Sequence, residues 1–137
     1  MAAWSDVRAV AMDLPEVSER SSRGLLAWQV RDKGFVWARP LRAGDIRALG
    51  DGAPEGPILG ARVEHLGAKA ALLAEDSGVY FTTPHFDGFA AVLVQLELID
   101  AGELTELIVE AWLARAPKTL ARDYIATGLA RDRGEES

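Results

Sequence analysis

Large side chains in this chain recur at a spacing of two, in short runs broken by turn residues, and that pattern restricts the fold more than any other feature. Leu26, Trp28 and Val30 alternate with Ala27 and Gln29, and Phe35 and Trp37 alternate with Val36 and Ala38, across the turn Arg31-Asp32-Lys33-Gly34. Two such runs around a polar turn read as a β-hairpin. Leu59, Ala61, Val63 and His65 alternate with Gly60, Arg62 and Glu64, giving a third strand with one wet face. Val79 to Thr83 and Phe89 to Glu97 supply two more, joined by Pro84-His85-Phe86-Asp87-Gly88, whose proline and glycine make the turn.

Helical spacing appears elsewhere. Val7, Val10, Ala11 and Leu14 fall on one face of a short helix, capped by Ser5 or Asp6 and closed by Pro15. Ala68 to Glu75 forms another, with Gly78 just beyond. Asp100-Ala101-Gly102-Glu103 has capping-box spacing and opens a helix whose inner stripe is Leu104, Leu107, Ile108, Ala111 and Trp112. Pro117 ends it and starts a last helix docked by Leu120, Ala121 and Tyr124. The glycines and prolines between Pro40 and Pro57 leave room for at most one helical turn around Asp45 to Leu49, so that stretch reads as a long loop. The order is helix, three strands, helix, two strands, two helices. It implies an α+β two-layer sandwich, a five-stranded antiparallel sheet with helices on one face, in a single domain over residues 1–130 with a frayed tail at 131–137.

Composition narrows the function. With 137 residues, 49% of them apolar, the chain can bury a core without staples. It has no cysteine, and His65 and His85 are its only histidines, so neither a metal site nor a cofactor is expected. The longest apolar run, Phe89 to Val94, is too short for a membrane span, and Asp6 and Arg8 interrupt any signal peptide, so a cytoplasmic location is expected. The net charge is −6, distributed as +2 over residues 1–47, −9 over 48–110 and +1 over 111–137. An acidic chain binds DNA only weakly and with strong salt dependence unless its cations converge.

Candidate binding residues each carry a competing structural role. His85 and Asp87 present an imidazole and a carboxylate on a rigid turn, able to bind an anion or a base edge; alternatively Asp87 bonds its own backbone before Gly88. Thr82 and Thr83 offer hydroxyls to a phosphate, or simply favour a strand. Trp28 and Trp112 belong in the core, whereas Trp37 suits either the core or a base-stacking platform. Arg39, Arg42 and Lys118 lie nearest a groove beside the sheet. The row Asp100, Glu103, Glu106 and Glu110 falls on a solvated helix face, where nothing separates the pKa values of a catalytic pair. Gly50, Gly52 and Gly56 do not form a phosphate loop, and no serine sits in a nucleophile motif. A non-enzymatic role is therefore expected.

The string from Phe81 to Val94, Phe-Thr-Thr-Pro-His-Phe-Asp-Gly-Phe-Ala-Ala-Val-Leu-Val, resembles the MmcQ/YjbR family. So do Leu14-Pro15-Glu16-Val17, Gly34-Phe35-Val36-Trp37-Ala38-Arg39-Pro40, Glu110-Ala111-Trp112 and Ala116-Pro117-Lys118, and the likeness runs from about Val7 to Tyr124. The resemblance implies a fold similar to the type III secretion chaperones and a role commonly labelled DNA-binding, through a double wing of β-hairpins. Carried onto this chain, the wings are the hairpins around Lys33-Gly34 and around His85-Gly88. The resulting set for a nucleic acid or other ligand is Arg31, Lys33, Trp37, Arg39, Arg42, Thr83, His85, Phe86, Asp87 and Lys118. The alternative is a protein- or small-molecule-binding module that uses the groove between the sheet and the long loop. A basic patch joining Arg39, Arg42 and Lys118 would favour DNA, an exposed apolar concavity would favour the module, and a buried polar cluster with shifted pKa values would favour an enzyme.

Overall fold

The computed structural model of the chain describes residues 2–75 and 78–135, with side chains as far as Thr127. In order it contains α1 (Trp4–Met12), β1 (Val17–Ser22), β2 (Leu25–Val30), β3 (Lys33–Ala38), α2 (Ala43–Leu49), a 3₁₀ turn (Gly50–Gly52), β4 (Ile58–Arg62), α3 (Leu66–Ala74), β5 (Tyr80–Phe81), a second 3₁₀ turn (Pro84–Phe86), β6 (Ala91–Gln95), α4 (Ala101–Arg115) and α5 (Lys118–Glu135). The strands form one sheet in the order β1-β2-β3-β4-β6-β5, each pair antiparallel. Among the described residues no helix is long and apolar enough to cross a membrane. The side chains of the expected frayed tail at 131–137 lie outside the described residues.

The α+β class and the antiparallel sheet agree with the expectation, but the sheet has six strands, not five. The added strand is β1, whose inward positions are Val17 and Glu19, so no alternation of large apolar residues marks it. Glu19 faces the core because it has polar work there: its carboxylate accepts from Trp28 Nε1 at 3.0 Å and from Arg8 at 2.7 and 3.0 Å. A second correction falls between Pro40 and Pro57, where α2 replaces most of the first half of the expected loop. The α1 cap also differs, since Asp6 reaches back to accept from Ala3 N at 2.8 Å from within the first turn.

One face of the sheet meets α1 and α4. Val7, Ala11, Val36, Leu59, Val92, Val94, Leu104 and Ile108 are buried there, together with Trp28 and Trp112, neither of which has accessible surface. Trp112 donates its Nε1 proton to the Pro15 carbonyl at 3.1 Å, tying α4 to the segment after α1. All five residues of the expected α4 stripe are buried, and Asp100 caps the helix by accepting from Gly102 N and Glu103 N.

The opposite face is not left to solvent, contrary to a sheet covered on one face only. A row of directly opposed residues crosses it: Arg20, Ala27, Trp37, Gly60, Leu93 and Phe81. Trp37, Leu41, Phe81 and Phe86 pack there with Ile58, Ala91 and Leu93 into a smaller second core. The Trp37 indole lies flat over Gly60, so that a Cβ at Gly60 would stand 2.6 Å from Trp37 Nε1. Gly60→Ala is therefore expected to displace the indole and to cost about 1–3 kcal/mol, read as a lower urea midpoint with an unchanged m-value.

Candidate functional site

The second core is held by polar groups that reach into it. Arg39, one residue past β3, and Asp45, in the first turn of α2, are both buried and form an ion pair of 3.1 Å between Nη2 and Oδ2. The same Oδ2 accepts from Arg42 N at 2.9 Å, and Arg39 Nη1 donates to the Pro40 carbonyl at 2.6 Å. The Arg39 guanidinium also lies 5.3 Å from the Phe86 ring centroid. The Arg42 backbone N–H, followed by the nearby Arg39 charge, holds the Asp45 carboxyl below its usual range against the opposing effect of burial. Thr83 is buried against this carboxylate and adds to the lowering, although its Oγ1 has no well-formed hydrogen bond.

The segment from Thr82 to Ala90 is clamped from two sides. Lys69, on α3, is buried and its Nζ donates to the carbonyls of Phe86 at 2.6 Å and Phe89 at 2.9 Å. Burial lowers the Lys69 pKa, and Asp87 partly opposes the shift. Arg62 Nε donates to the Ala90 carbonyl at 3.1 Å, with its guanidinium 4.5 Å from the Phe89 ring centroid. Together these bonds fix the turn that presents His85.

Trp37, Arg39, Arg42, Thr83, His85 and Phe86 therefore converge on one side of the sheet. Their accessibility differs. Arg42 and His85 are exposed, Trp37 is half-buried, and Arg39, Thr83 and Phe86 are buried. Asp87 is exposed on the same turn, and its charge opposes the lowering of the Lys69 pKa by burial. Arg31 and Lys33 sit at the other end of β3, and Arg31 is taken by Glu16 in a two-pronged pair of 2.7 and 2.8 Å. Lys118 begins α5 and lines a different hollow with Leu113, Arg122 and Ile125. No basic patch joins Arg39, Arg42 and Lys118.

Asp45, Lys69 and Arg62 are the site-forming residues that the sequence reading missed. Asp45 and Lys69 are single charged residues in segments without a motif, and only the fold reveals what they reach. Glu103 is a further correction to the idea of a wholly solvated acidic row, since it accepts from the Tyr80 hydroxyl at 2.5 Å. Burial, reinforced by that bond, pushes the Tyr80 phenol well above its ordinary value.

Two hollows flank α2. One is an apolar groove of about 550 Å3 between the end of the β2-β3 hairpin and the 40–57 segment, lined among others by Trp4, Leu25, Leu41, Ile46, Pro57 and Ile58. The other is a recess of about 330 Å3 lined by Arg39, Arg42, Gly44, Asp45, Pro84 and His85. Among the described residues no cluster of histidines and carboxylates is arranged to hold a metal ion.

Because the folded Asp45 pKa is depressed, the stability it contributes is present above the unfolded carboxyl range and is lost as pH falls through the folded value. Asp45→Asn keeps the size and an acceptor for Arg42 N but strands the Arg39 charge. We expect a loss of about 3–5 kcal/mol at neutral pH, and a weaker acid dependence below about pH 4 than in the parent protein, both measured by urea unfolding.

The family model of YjbR matches residues 12–114, which run from the end of α1 almost to the end of α4 and include every strand. The uncharacterised proteins Rv2570 of Mycobacterium tuberculosis and Mb2600 of Mycobacterium bovis are each 47% identical over 129 residues, covering 92% of this chain and 98% of the relative. A crystal structure of the Deinococcus radiodurans protein DR2400, with a DUF419 domain, superposes with a TM-score of 0.60 at 20% identity, over 82% of this chain and 78% of that one. That likeness is one of fold, whereas the family match takes in the second core and both walls of the recess, and by it the chain belongs to the YjbR family.

Proposed function

We propose that this protein is a non-enzymatic binding module that takes a small apolar ligand in the groove between the sheet and the 40–57 segment. The observation that carries this is the groove, whose volume falls within the roughly 300–1,000 Å3 range of small-molecule sites. At its rim Leu25 and Ile46 are 42% and 48% exposed, an apolar surface with no covering element among the described residues. The buried polar cluster of Arg39, Asp45 and Lys69 has shifted pKa values at Asp45 and Lys69, but its groups are already bonded within the fold, which supports a structural part for it over a catalytic one. A backbone N–H and Arg39 hold Asp45, and arginines hold Glu16 and Glu19, so these acids serve the shape of the domain. With a neutral solvatochromic dye as the probe, we expect saturable binding that Ile46→Glu weakens by about tenfold or more, equivalent to roughly 1.4 kcal/mol. Leu98→Glu, at another exposed position, is the control and should leave it unchanged. Equal binding by both variants would refute the groove as the site.

DNA binding is a second reading, favoured by Arg23 and Lys33 at hairpin turns and by Arg42 at the recess, exposed cations that form no ion pair among the described residues. Arg39 is not available for phosphate, because its guanidinium is buried and already paired. With Arg23, Lys33 and Arg42 as the contacts, the slope of log affinity against log salt should be near −2.7, from about −0.9 per neutralised phosphate. Arg42→Ala should remove roughly one contact from it. Titration of duplex and single-stranded DNA at low salt with no binding to either would end this reading.

A further inference from the structure

We propose that the recess between α2 and the 3₁₀ turn Pro84–Phe86 is a second binding site, specific for the terminal phosphate group of a small ligand. It is separate from the apolar groove, since Leu41 and Ile46 face that groove while Arg42, Gly44 and Asp45 face the recess.

The charge of the recess follows from its hydrogen bonds. Asp45 is matched by Arg39, and its Oδ2 already carries two donors, the Arg42 backbone and the Arg39 guanidinium. The negative charge on the floor is thus neutralised in place. The walls are lined by Arg42, whose guanidinium forms no ion pair among the described residues, and by the exposed His85. An arginine fork matches phosphate oxygens two at a time, and an imidazole adds a further donor.

Geometry selects a small phosphomonoester. At about 330 Å3 the recess is at the lower end of the ligand-site range of roughly 300–1,000 Å3, enough for a compact head group. A monoester carries about −1.5 to −2 charges at neutral pH and three acceptor oxygens, which suits a guanidinium fork beside an imidazole donor better than the single charge of a diester link. The backbone of both walls is pre-positioned. Asp45 fixes the backbone of Arg42, and Lys69 holds the turn of His85 through the Phe86 and Phe89 carbonyls, so binding has to order the two side chains but not the segments that carry them.

The test is a titration of the intact protein with inorganic phosphate, followed by backbone and His85 ring NMR signals at constant ionic strength, with chloride as the comparison ion. Saturable shifts at residues 42–45 and 84–87, absent with chloride, are expected. Arg42→Ala retains the backbone N–H that Asp45 needs and should keep the melting temperature while weakening phosphate binding about tenfold or more. His85→Gln should weaken it less, and Lys118→Ala, in another hollow, should not change it. No saturable shift, or the same shift with chloride, or equal weakening by Lys118→Ala, would overturn the assignment. So would a short DNA duplex that shifts these residues at lower concentration than phosphate, a result favouring the DNA reading instead. Absence of phosphate binding by the parent protein, with dye binding present, would refute this site and leave the groove standing.

Discussion

The buried pair of Arg39 and Asp45 decides what the second face of the sheet becomes. Taking two charges out of water is costly, and the pair survives because its remaining bonding capacity is filled by the Arg42 N–H, the Pro40 carbonyl and the face of Phe86. It joins the end of β3 to a helix too short to be stable alone. Once α2 is docked, the space on either side of it is defined, apolar toward Leu25 and Pro57, polar toward His85. Without that bond the 40–57 segment would have few buried apolar anchors and neither hollow would keep its wall.

Much of the first layer was legible in the sequence, because there the driving force is burial of apolar surface and periodicity reports it directly. Trp28, Trp112 and the α4 stripe are buried as their spacing implies. The strand β1 was not legible because only Val17 of its two inward side chains is apolar, the other being Glu19, placed there for the Trp28 indole and Arg8. The helix α2 was hidden for a similar reason, since its one buried residue is Asp45. The candidate site was half legible. Residues 37, 39, 42, 83, 85 and 86 do come together, but whether each faces solvent or the second core depends on Asp45 and Lys69, whose partners lie in other elements.

Five carboxylates of the acidic middle share one place in the fold, while Asp87 stays on the turn of His85. Glu64, Glu75, Glu103, Glu106 and Glu110 line a hollow between α3 and α4, together with Arg62 and Tyr80. None of these carboxylates lines the recess of Arg42 and His85. Segregation of this kind lets an acidic protein of net charge −6 keep a locally basic wall, although attraction at long range will be small and screened beyond roughly 8–10 Å at ordinary salt. Affinity for an anion then depends on short, directed hydrogen bonds more than on steering.

The most direct test of the role given to the ion pair is native-state amide hydrogen exchange in Arg39→Met, which keeps the apolar stem and removes the charge. If the pair docks α2, the hydrogen-bonded amides from Ile46 to Leu49 should lose protection while those of β4 and β6, anchored by the first core, keep theirs. Unchanged protection from Ile46 to Leu49 would contradict the account, as would a uniform loss throughout the sheet.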